Sequence, residues 1–278
     1  MREPMQQSYA GVAGGGETVL DRIVARTRAD LERRMSERPL ASVMTAAEAA
    51  PPPRDFLEAI RQPGHVRLIA EVKKASPSAG LIRADFDAVK LASEYEAGGA
   101  AAISVLTDEP FFQGKLAYLD AVKAAVSLPV LRKDFIVSEY QLYEARAAGA
   151  DAVLLIAECL PQEDLVRLYE LSRHLGMHVL LELYDEENLP RVLATGCPIV
   201  GVNNRDLRTF QVDLERAVRM RQLVPSDRCL VSESGIGGPE QVQRLLECGV
   251  DAMLVGESLS RQADVTTAVR RLLAVPGS

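Results

Sequence analysis

The chain has no Trp, three His and four Cys among its 278 residues. The histidines, His65, His174 and His178, are too few for a His-rich metal centre and give a Ser-His-Asp triad little to draw on. Cys159, Cys197, Cys229 and Cys248 form no C-x-x-C pair and stand far apart, which argues against a zinc knuckle and gives no disulfide framework. No metal is expected. No run of about 18 apolar residues occurs, so no segment should span a membrane. The N-terminus lacks the apolar core of a signal peptide, and a cytoplasmic protein is expected. Basic residues are in deficit, 32 against 39 acids, for a net charge of −7. That balance repels a nucleic-acid backbone or an anionic membrane. The expected partner is a small molecule, and the expected state a monomer or at most a weak dimer.

What is there is ordinary globular composition, 47% hydrophobic and 26% charged. The length suits one barrel of about 250 residues or two average domains. Residues 1–17, with Gly14-Gly15-Gly16, read as a flexible leader. Residues 18–62 read as a helical extension. Leu20, Ile23, Val24 and Leu31 stripe an amphipathic helix over 18–37, Pro51-Pro52-Pro53 ends the Ala-rich stretch after it, and a short helix follows from residue 55 to about 61. Over 63–278 the chain becomes rhythmic. Short apolar runs recur at 66–72, 101–106, 129–131, 152–156, 179–183, 199–202, 229–231 and 252–255, with a helix-like segment after each. Four joins read alike: Gly99-Ala100-Ala101, Gly149-Ala150-Asp151, Gly196-Cys197-Pro198 and Gly249-Val250-Asp251. In each, a left-handed Gly ends a helix just before a buried strand. Eight strand-then-helix units predict an α/β fold, a (β/α)8 TIM barrel with an N-terminal helical extension, forming one catalytic domain. The lack of G-x-G-x-x-G after the first run argues against a doubly wound sheet.

The active site of such a barrel lies at the C-terminal ends of its strands. Those ends are dense with polar residues: Glu71 and Lys73, Thr107-Asp108-Glu109, Lys133-Asp134, Glu158, Glu182, Asn203-Asn204-Arg205-Asp206, Glu233-Ser234 and Gly256-Glu257. Alternation puts Ile69, Glu71 and Lys73 on one face and turns Ala70 and Val72 to the helices. A structural ion pair capping the barrel is the bland alternative. Glu182 stands among leucines, where desolvation should raise its pKa and suit it to acid–base work; a strand-end Glu facing water is the alternative. Lys133 has the same ambiguity: it faces water at a strand end or, near cations and apolar walls, has a lowered pKa and acts as an acid near neutral pH. Gly235-Ile236-Gly237-Gly238 after the seventh run and Gly256-Glu257-Ser258 after the eighth occupy the usual place of a backbone phosphate site, although glycines also serve tight turns. Ser76-Pro77-Ser78 adds hydroxyls to that site or is simply a turn. The residues alone thus predict a barrel enzyme using Lys and Glu on a phosphorylated small molecule. They leave the reaction open.

Several longer strings narrow it. Ile69-Ala70-Glu71-Val72-Lys73-Lys74-Ala75-Ser76-Pro77-Ser78 comes first, then Ser104-Val105-Leu106-Thr107-Asp108 with Phe111-Phe112-Gln113-Gly114. Leu131-Arg132-Lys133-Asp134-Phe135-Ile136, Gly201-Val202-Asn203-Asn204-Arg205-Asp206-Leu207 and Ser232-Glu233-Ser234-Gly235-Ile236 follow in order. Together they resemble the indole-3-glycerol-phosphate synthases of tryptophan biosynthesis, from about Thr18 to the C-terminus. The resemblance implies a cofactor-free carboxy-lyase that closes an indole ring on 1-(2-carboxyphenylamino)-1-deoxyribulose 5-phosphate. It makes Lys133 the general acid of ring closure, Lys73 the partner of the substrate carboxylate, and Glu182 the base of dehydration. Glu71 and Asn203 would position sugar hydroxyls and lysines, with Glu233 and Arg205 as further polar members. Ser76, Ser234, Gly235, Gly256 and Glu257 would cradle the phosphate. Phe112, in a loop past the second strand, would face the aromatic ring together with Leu106, Leu154 and Ile156.

The match has departures. Ala75 stands where some relatives have Lys, Ser260 where Met is usual, Lys115 where Ser is common and Tyr184 where His is expected; none is a proposed catalyst. Three rivals remain. One is a Schiff-base aldolase with Lys133 as nucleophile. Another is phosphoribosylanthranilate isomerase, which should use a Cys/Asp pair, and no Cys ends the first strand. The third is a non-catalytic phosphate-ligand barrel, against which the joint presence of Lys73, Lys133, Glu71, Glu182, Asn203 and Glu233 argues.

Overall fold

The computed structural model describes residues 18–206, 208–209 and 211–274. The expected leader 1–17 and Leu207 of the fourth motif lie outside them. Each apolar run becomes a strand buried on both faces, as a parallel sheet covered by helices requires. The barrel strands are β1 Arg67–Val72, β2 Ala102–Leu106, β3 Val130–Lys133, β4 Ala152–Ile156, β5 His178–Leu183, β6 Ile199–Asn203, β7 Cys229–Glu233 and β8 Ala252–Val255. They pair in parallel in sequence order and close through β8 and β1, with Ile69 opposite Leu254 on one side and Ala102 on the other. The predicted (β/α)8 barrel is the fold observed.

Three helices precede the barrel, α1 Val19–Glu37, α2 Leu40–Ala49 and α3 Phe56–Ile60. Thr18 and Asp21 form a reciprocal capping box that starts α1. The Ala-rich stretch is α2, a helix the periodicity left unassigned. It lies against α7 Glu139–Ala147, where Arg146 Nη2 donates to Ala50 O at 2.8 Å and Tyr140 Oη to Arg38 O at 2.9 Å. Phe56 and Ile60 of α3 are fully buried with the barrel interior, closing its N-terminal end. The outer helices are α4 Ala88–Gly98, α5 Glu109–Phe112, α6 Leu116–Ala125, α8 Gln162–His174, α9 Leu189–Ala194, α10 Glu215–Arg221, α11 Pro239–Glu247, α12 Glu257–Ser260 and α13 Val265–Leu273. Gly99 (φ +105), Gly149 (φ +81), Gly196 (φ +74) and Gly249 (φ +76) are left-handed, as the joins predicted.

Alternation sorts the core into two layers. Ala70, Val72, Val153 and Leu181 pack outward against Leu91, Leu119, Leu165 and Val242 of the helices. Ile69, Leu131, Leu180 and Val231 fill the barrel from β1, β3, β5 and β7. Four side chains from alternate strands are the usual layer of this fold.

The halves also repeat, at an offset of one hundred residues. Val130 N donates to Asp151 Oδ2 at 2.7 Å, and Leu230 N to Asp251 Oδ2 at 2.8 Å. Val137 N donates to Gln141 Oε1 at 2.9 Å, and Gly237 N to Gln241 Oε1 at 2.6 Å. The two aspartates differ in burial. Asp151 is fully buried, bonded also to Lys123 Nζ at 2.6 Å and Arg54 N at 2.6 Å, so it ties the extension to the barrel. Asp251 is partly exposed, with Arg221 at 3.4 Å. Removing one partner of a buried pair strands the other, so Asp151→Ala is expected to cost about 3–5 kcal/mol. Asp251→Ala should cost about 1 kcal/mol. Urea unfolding of both variants checks this; equal losses would refute it.

Candidate active site

Two residues beyond Ile69, Leu131, Leu180 and Val231 stand Glu71, Lys133, Glu182 and Glu233. Alternation therefore turns all four into the barrel as the layer above, at its C-terminal mouth. Lys133 Nζ lies 3.1 Å from Glu182 Oε2 and 3.5 Å from Glu233 Oε2. Lys73, two residues past Glu71, sets its Nζ 2.5 Å from Glu71 Oε1. Asn203 from β6 donates Nδ2 to Glu182 Oε1 at 3.1 Å, while its Oδ1 accepts from Ser234 Oγ and Arg205 N, each at 3.0 Å. Two glycines make room. A Cβ at Gly256 would stand 2.5 Å from Glu71 Oε1, and one at Gly201 would collide with Glu233 Oε1.

This crowding reverses two expectations. Burial opposes the charge of Lys133, but Glu182, Glu233 and Glu71 outweigh it and hold its pKa above the ordinary lysine value. The expected lowering of Lys133 is therefore corrected: what surrounds it is carboxylate, not cation. Burial likewise pushes Glu182 up, yet the Lys133 charge and the hydrogen bonds from Asn203, Glu233 and Lys133 leave its pKa lowered. The carboxyl raised well above the usual range is Glu233, through burial and the adjacent Glu182 charge. Neighbouring leucines suggested desolvation at Glu182, but its partners come from other strands.

All the proposed site residues line one cavity of about 370 Å³. Leu106, Phe112, Leu154 and Ile156 form an apolar wall on the β2–β4 side. Phe135, missed by the sequence reading, extends it, its ring 6.0 Å from that of Phe112. Phe112 ends the short helix α5 rather than lying in a loop. On the opposite side Ser234 (φ +70) and Gly235 (φ +82) are both left-handed, beside Gly256, Glu257 and Ser76. Ser76-Pro77-Ser78 is part of a small hairpin, Ala75–Ser76 against Gly80–Leu81, outside the barrel. Val19, Leu20 and Ile23 of α1 also line the cavity. The amphipathic stripe of that helix was legible, but nothing in it named the barrel mouth as its partner.

Other polar strand-end residues hold loops. Asp134 lines the cavity, but its carboxylate is engaged, accepting from Thr107 Oγ1 at 2.5 Å and Arg132 Nη2 at 2.9 Å. Glu158 accepts from Tyr184 N, Asp185 N and Asn188 Nδ2, tying the β4 loop to the β5 loop. Asp108 caps α5, accepting from Phe111 N at 2.9 Å and Phe112 N at 3.2 Å. Two departures from the family pattern are integrated. Ser260 Oγ meets Tyr95 Oη at 2.9 Å, which donates to Glu71 O at 3.1 Å; Tyr184 stacks under Arg216 at 3.7 Å. Among the described residues, no group of three or more His, Cys, Asp or Glu could hold a metal ion, and no helix is long and apolar enough to cross a membrane.

A family model described as indole-3-glycerol phosphate synthase matches residues 20–272. The indole-3-glycerol phosphate synthase of Rhodopirellula baltica is 56% identical over 257 residues, covering 92% of this chain and 99% of that protein. The one from Roseiflexus sp. is 48% identical over 264 residues, covering 92% and 98%. Two solved structures share the fold. Thiamine phosphate pyrophosphorylase from Pyrococcus furiosus has a TM-score of 0.56 at 18% identity, covering 74% of this chain and 93% of that one. N-acetylmannosamine-6-phosphate 2-epimerase from Clostridium perfringens has a TM-score of 0.59 at 16% identity, covering 77% and 94%. At these identities they show the fold alone.

The cap under the aromatic wall is pH-sensitive. Burial, helped by the Asp134 charge, pushes the Asp108 carboxyl up to about 6, against the two backbone N–H bonds. A carboxyl whose pKa is higher folded than unfolded favours folding below its unfolded pKa, and that benefit is lost as pH rises through about 6. Asp108→Asn keeps a capping acceptor and removes the buried charge. It is expected to stabilise the protein by about 1–2 kcal/mol at pH 8 and by almost nothing at pH 4. Thermal melts at both pH values test this; a pH-independent difference would contradict it.

Proposed function

The chain belongs to the indole-3-glycerol phosphate synthase family, and on that premise we propose how its own side chains carry the reaction. The protein is a carboxy-lyase of tryptophan biosynthesis. It closes the ring of 1-(2-carboxyphenylamino)-1-deoxyribulose 5-phosphate and releases CO2 and water to give indole-3-glycerol phosphate. The observation that carries the reading of the site is the Lys133 ammonium, 3.1 Å from Glu182, between an apolar wall and a phosphate end.

The substrate phosphate sits at Ser234, Gly235, Gly256 and Glu257, chiefly on backbone N–H groups, with Ser76 beside it. The aromatic ring lies on Leu106, Phe112, Leu154 and Ile156. Anchoring both ends folds the substrate, so that the ring carbon bearing the carboxylate meets the ketose carbonyl. As that bond forms, the carbonyl oxygen gains charge and takes a proton from Lys133. Lys73, aimed by Glu71, holds the carboxylate until the bond to CO2 breaks and its electron pair returns to the ring system. Glu182, held as a carboxylate, then removes a proton while the hydroxyl leaves as water on a proton from a lysine. Asn203 aims Glu182, and Arg205 adds a cation at the mouth.

The rivals fit less well. Carboxylates that hold Lys133 as an ammonium keep it from acting as a Schiff-base nucleophile. The phosphate end and the apolar wall also occupy opposite sides of a built acid–base layer, which a mere binding barrel does not need. The protein is read as cytoplasmic and as a monomer or weak dimer, without a nucleic-acid partner. The division of the chain is read as an extension over 18–62 and a catalytic barrel from 63 onward.

The test of the reaction is indole fluorescence when the carboxyphenylamino-deoxyribulose phosphate is added to EDTA-treated protein; a rise is expected, and none would overturn the reading. For the side chains, Lys133→Met should lower kcat by about 10²–10⁴-fold while substrate Kd moves only severalfold. Near-normal turnover would remove Lys133 from its role. Glu182→Gln should lose a similar factor, with decarboxylation, read as CO2 release in a single turnover, outlasting indole formation. Parallel loss of both would show that Glu182 acts before dehydration.

A further inference from the structure

Glu233 is the buried group of the cavity that the steps above leave idle. Both oxygens of Glu182 accept hydrogen bonds, Oε1 from Asn203 and Oε2 from Lys133. Glu233 is equally buried, 2% exposed, yet neither of its oxygens accepts a hydrogen bond. Lys133 Nζ stands at 3.5 Å, beyond good hydrogen-bond range, and Oε1 is turned onto the backbone of Gly201. Glu182 and Glu71 face it as like charges; Lys73 is turned to Glu71, and Arg205 lines the same cavity. An ionised carboxylate in that setting accepts no hydrogen bond and has the Lys133 ammonium at 3.5 Å against two like charges, whereas a neutral carboxyl avoids that cost and its O–H can donate to Glu182. Burial and the Glu182 charge favour the protonated form and outweigh the opposing Lys133 charge.

The reaction takes up a proton. The carboxylate leaves as neutral CO2, two protons reach the departing oxygen, and one returns from carbon to Glu182. We propose that Glu233 stores the missing proton and passes it to Lys133 after ring closure. This inference rests on the reaction assigned above. Once Lys133 has protonated the carbonyl oxygen, its amine lone pair takes the Glu233 proton, and the O–H bonding pair stays behind as the carboxylate. Lys133 is again an ammonium and can protonate the hydroxyl as it leaves. Afterwards Glu182 returns its proton to Lys133, and one proton from water restores Glu233. Glu233 thus acts through Lys133 rather than on the substrate.

Infrared spectra of the ligand-free protein at neutral pH, in H2O and D2O, test the resting state. A protonated-carboxyl C=O stretch is expected that shifts in D2O and is lost in Glu233→Gln. Its absence from the wild type overturns the proposal without need of the variant, and its survival in a folded Glu233→Gln protein does so as well. Single-turnover kinetics with carboxyl-labelled substrate test the transfer. In Glu233→Gln, CO2 release should stay within about threefold of wild type while indole appears roughly 100-fold more slowly. Equal slowing of both reduces Glu233 to a shape-keeping role and overturns the store. Wild-type protein that forms neither product overturns the assigned reaction instead, a failure that the infrared band tells apart.

Discussion

Everything at the barrel mouth depends on one ammonium shared among carboxylates. At about 3 Å and an effective dielectric of about 20, one opposite charge is worth about 5 kcal/mol to Lys133. Burying an ion costs several kcal/mol, so Glu182 alone roughly breaks even and the further charge of Glu71 tips the balance. That ordering keeps Lys133 charged, leaves Glu182 ionised as its hydrogen-bonded partner, and pushes the surplus onto Glu233. It also constrains residues with no charge. Gly201 and Gly256 are small because Glu233 and Glu71 occupy the space where their side chains would be. Asn203 is an amide because it must donate to Glu182 with one atom and accept from Ser234 and Arg205 with the other.

Strand alternation makes much of this legible in the sequence. Once Ile69, Glu71 and Lys73 are set on one face of a barrel strand, their place at the mouth follows, and the same holds for Lys133, Glu182, Asn203 and Glu233. The failures are of one kind. The neighbours of Glu182 along the strand mislead, because they face the helices or lie below it. Its electrostatics come from Lys133, Asn203 and Glu233, which lie on other strands. Asp108, Asp134 and Glu158 carry the same residue types at the same strand ends, yet they cap a helix or tie loops together. Nothing local separates a carboxylate that faces the cavity from one that faces a backbone N–H. The cover contributed by Val19, Leu20 and Ile23 was hidden for a similar reason, since an amphipathic stripe records that a helix is covered and not by what.

The repeat between the halves explains how one cavity acquires two unlike ends. Lys133 and Glu233 stand at equivalent positions of β3 and β7, and so do Asp134 with Ser234 and Phe135 with Gly235. The hydrogen bonds beneath them repeat, to Asp151 and Asp251 and to Gln141 and Gln241, so the backbone frame is common to both. The side chains above diverge. After β3, Asp134 is anchored by Arg132 and Thr107, and Phe135 completes an apolar wall. After β7, two left-handed residues turn the backbone toward the cavity, and Gly235 could carry no side chain because Val212 lies where its Cβ would be. One half therefore offers surface for an aromatic ring and the other offers backbone for an anion. Unlike groups at the paired positions, an ammonium on one side and a carboxyl raised in pKa on the other, meet between those ends. On the proposed reading, a substrate held by its ring and its phosphate has its reacting carbons at that meeting point, so the broken symmetry of the barrel would place the acid over the bond to be made.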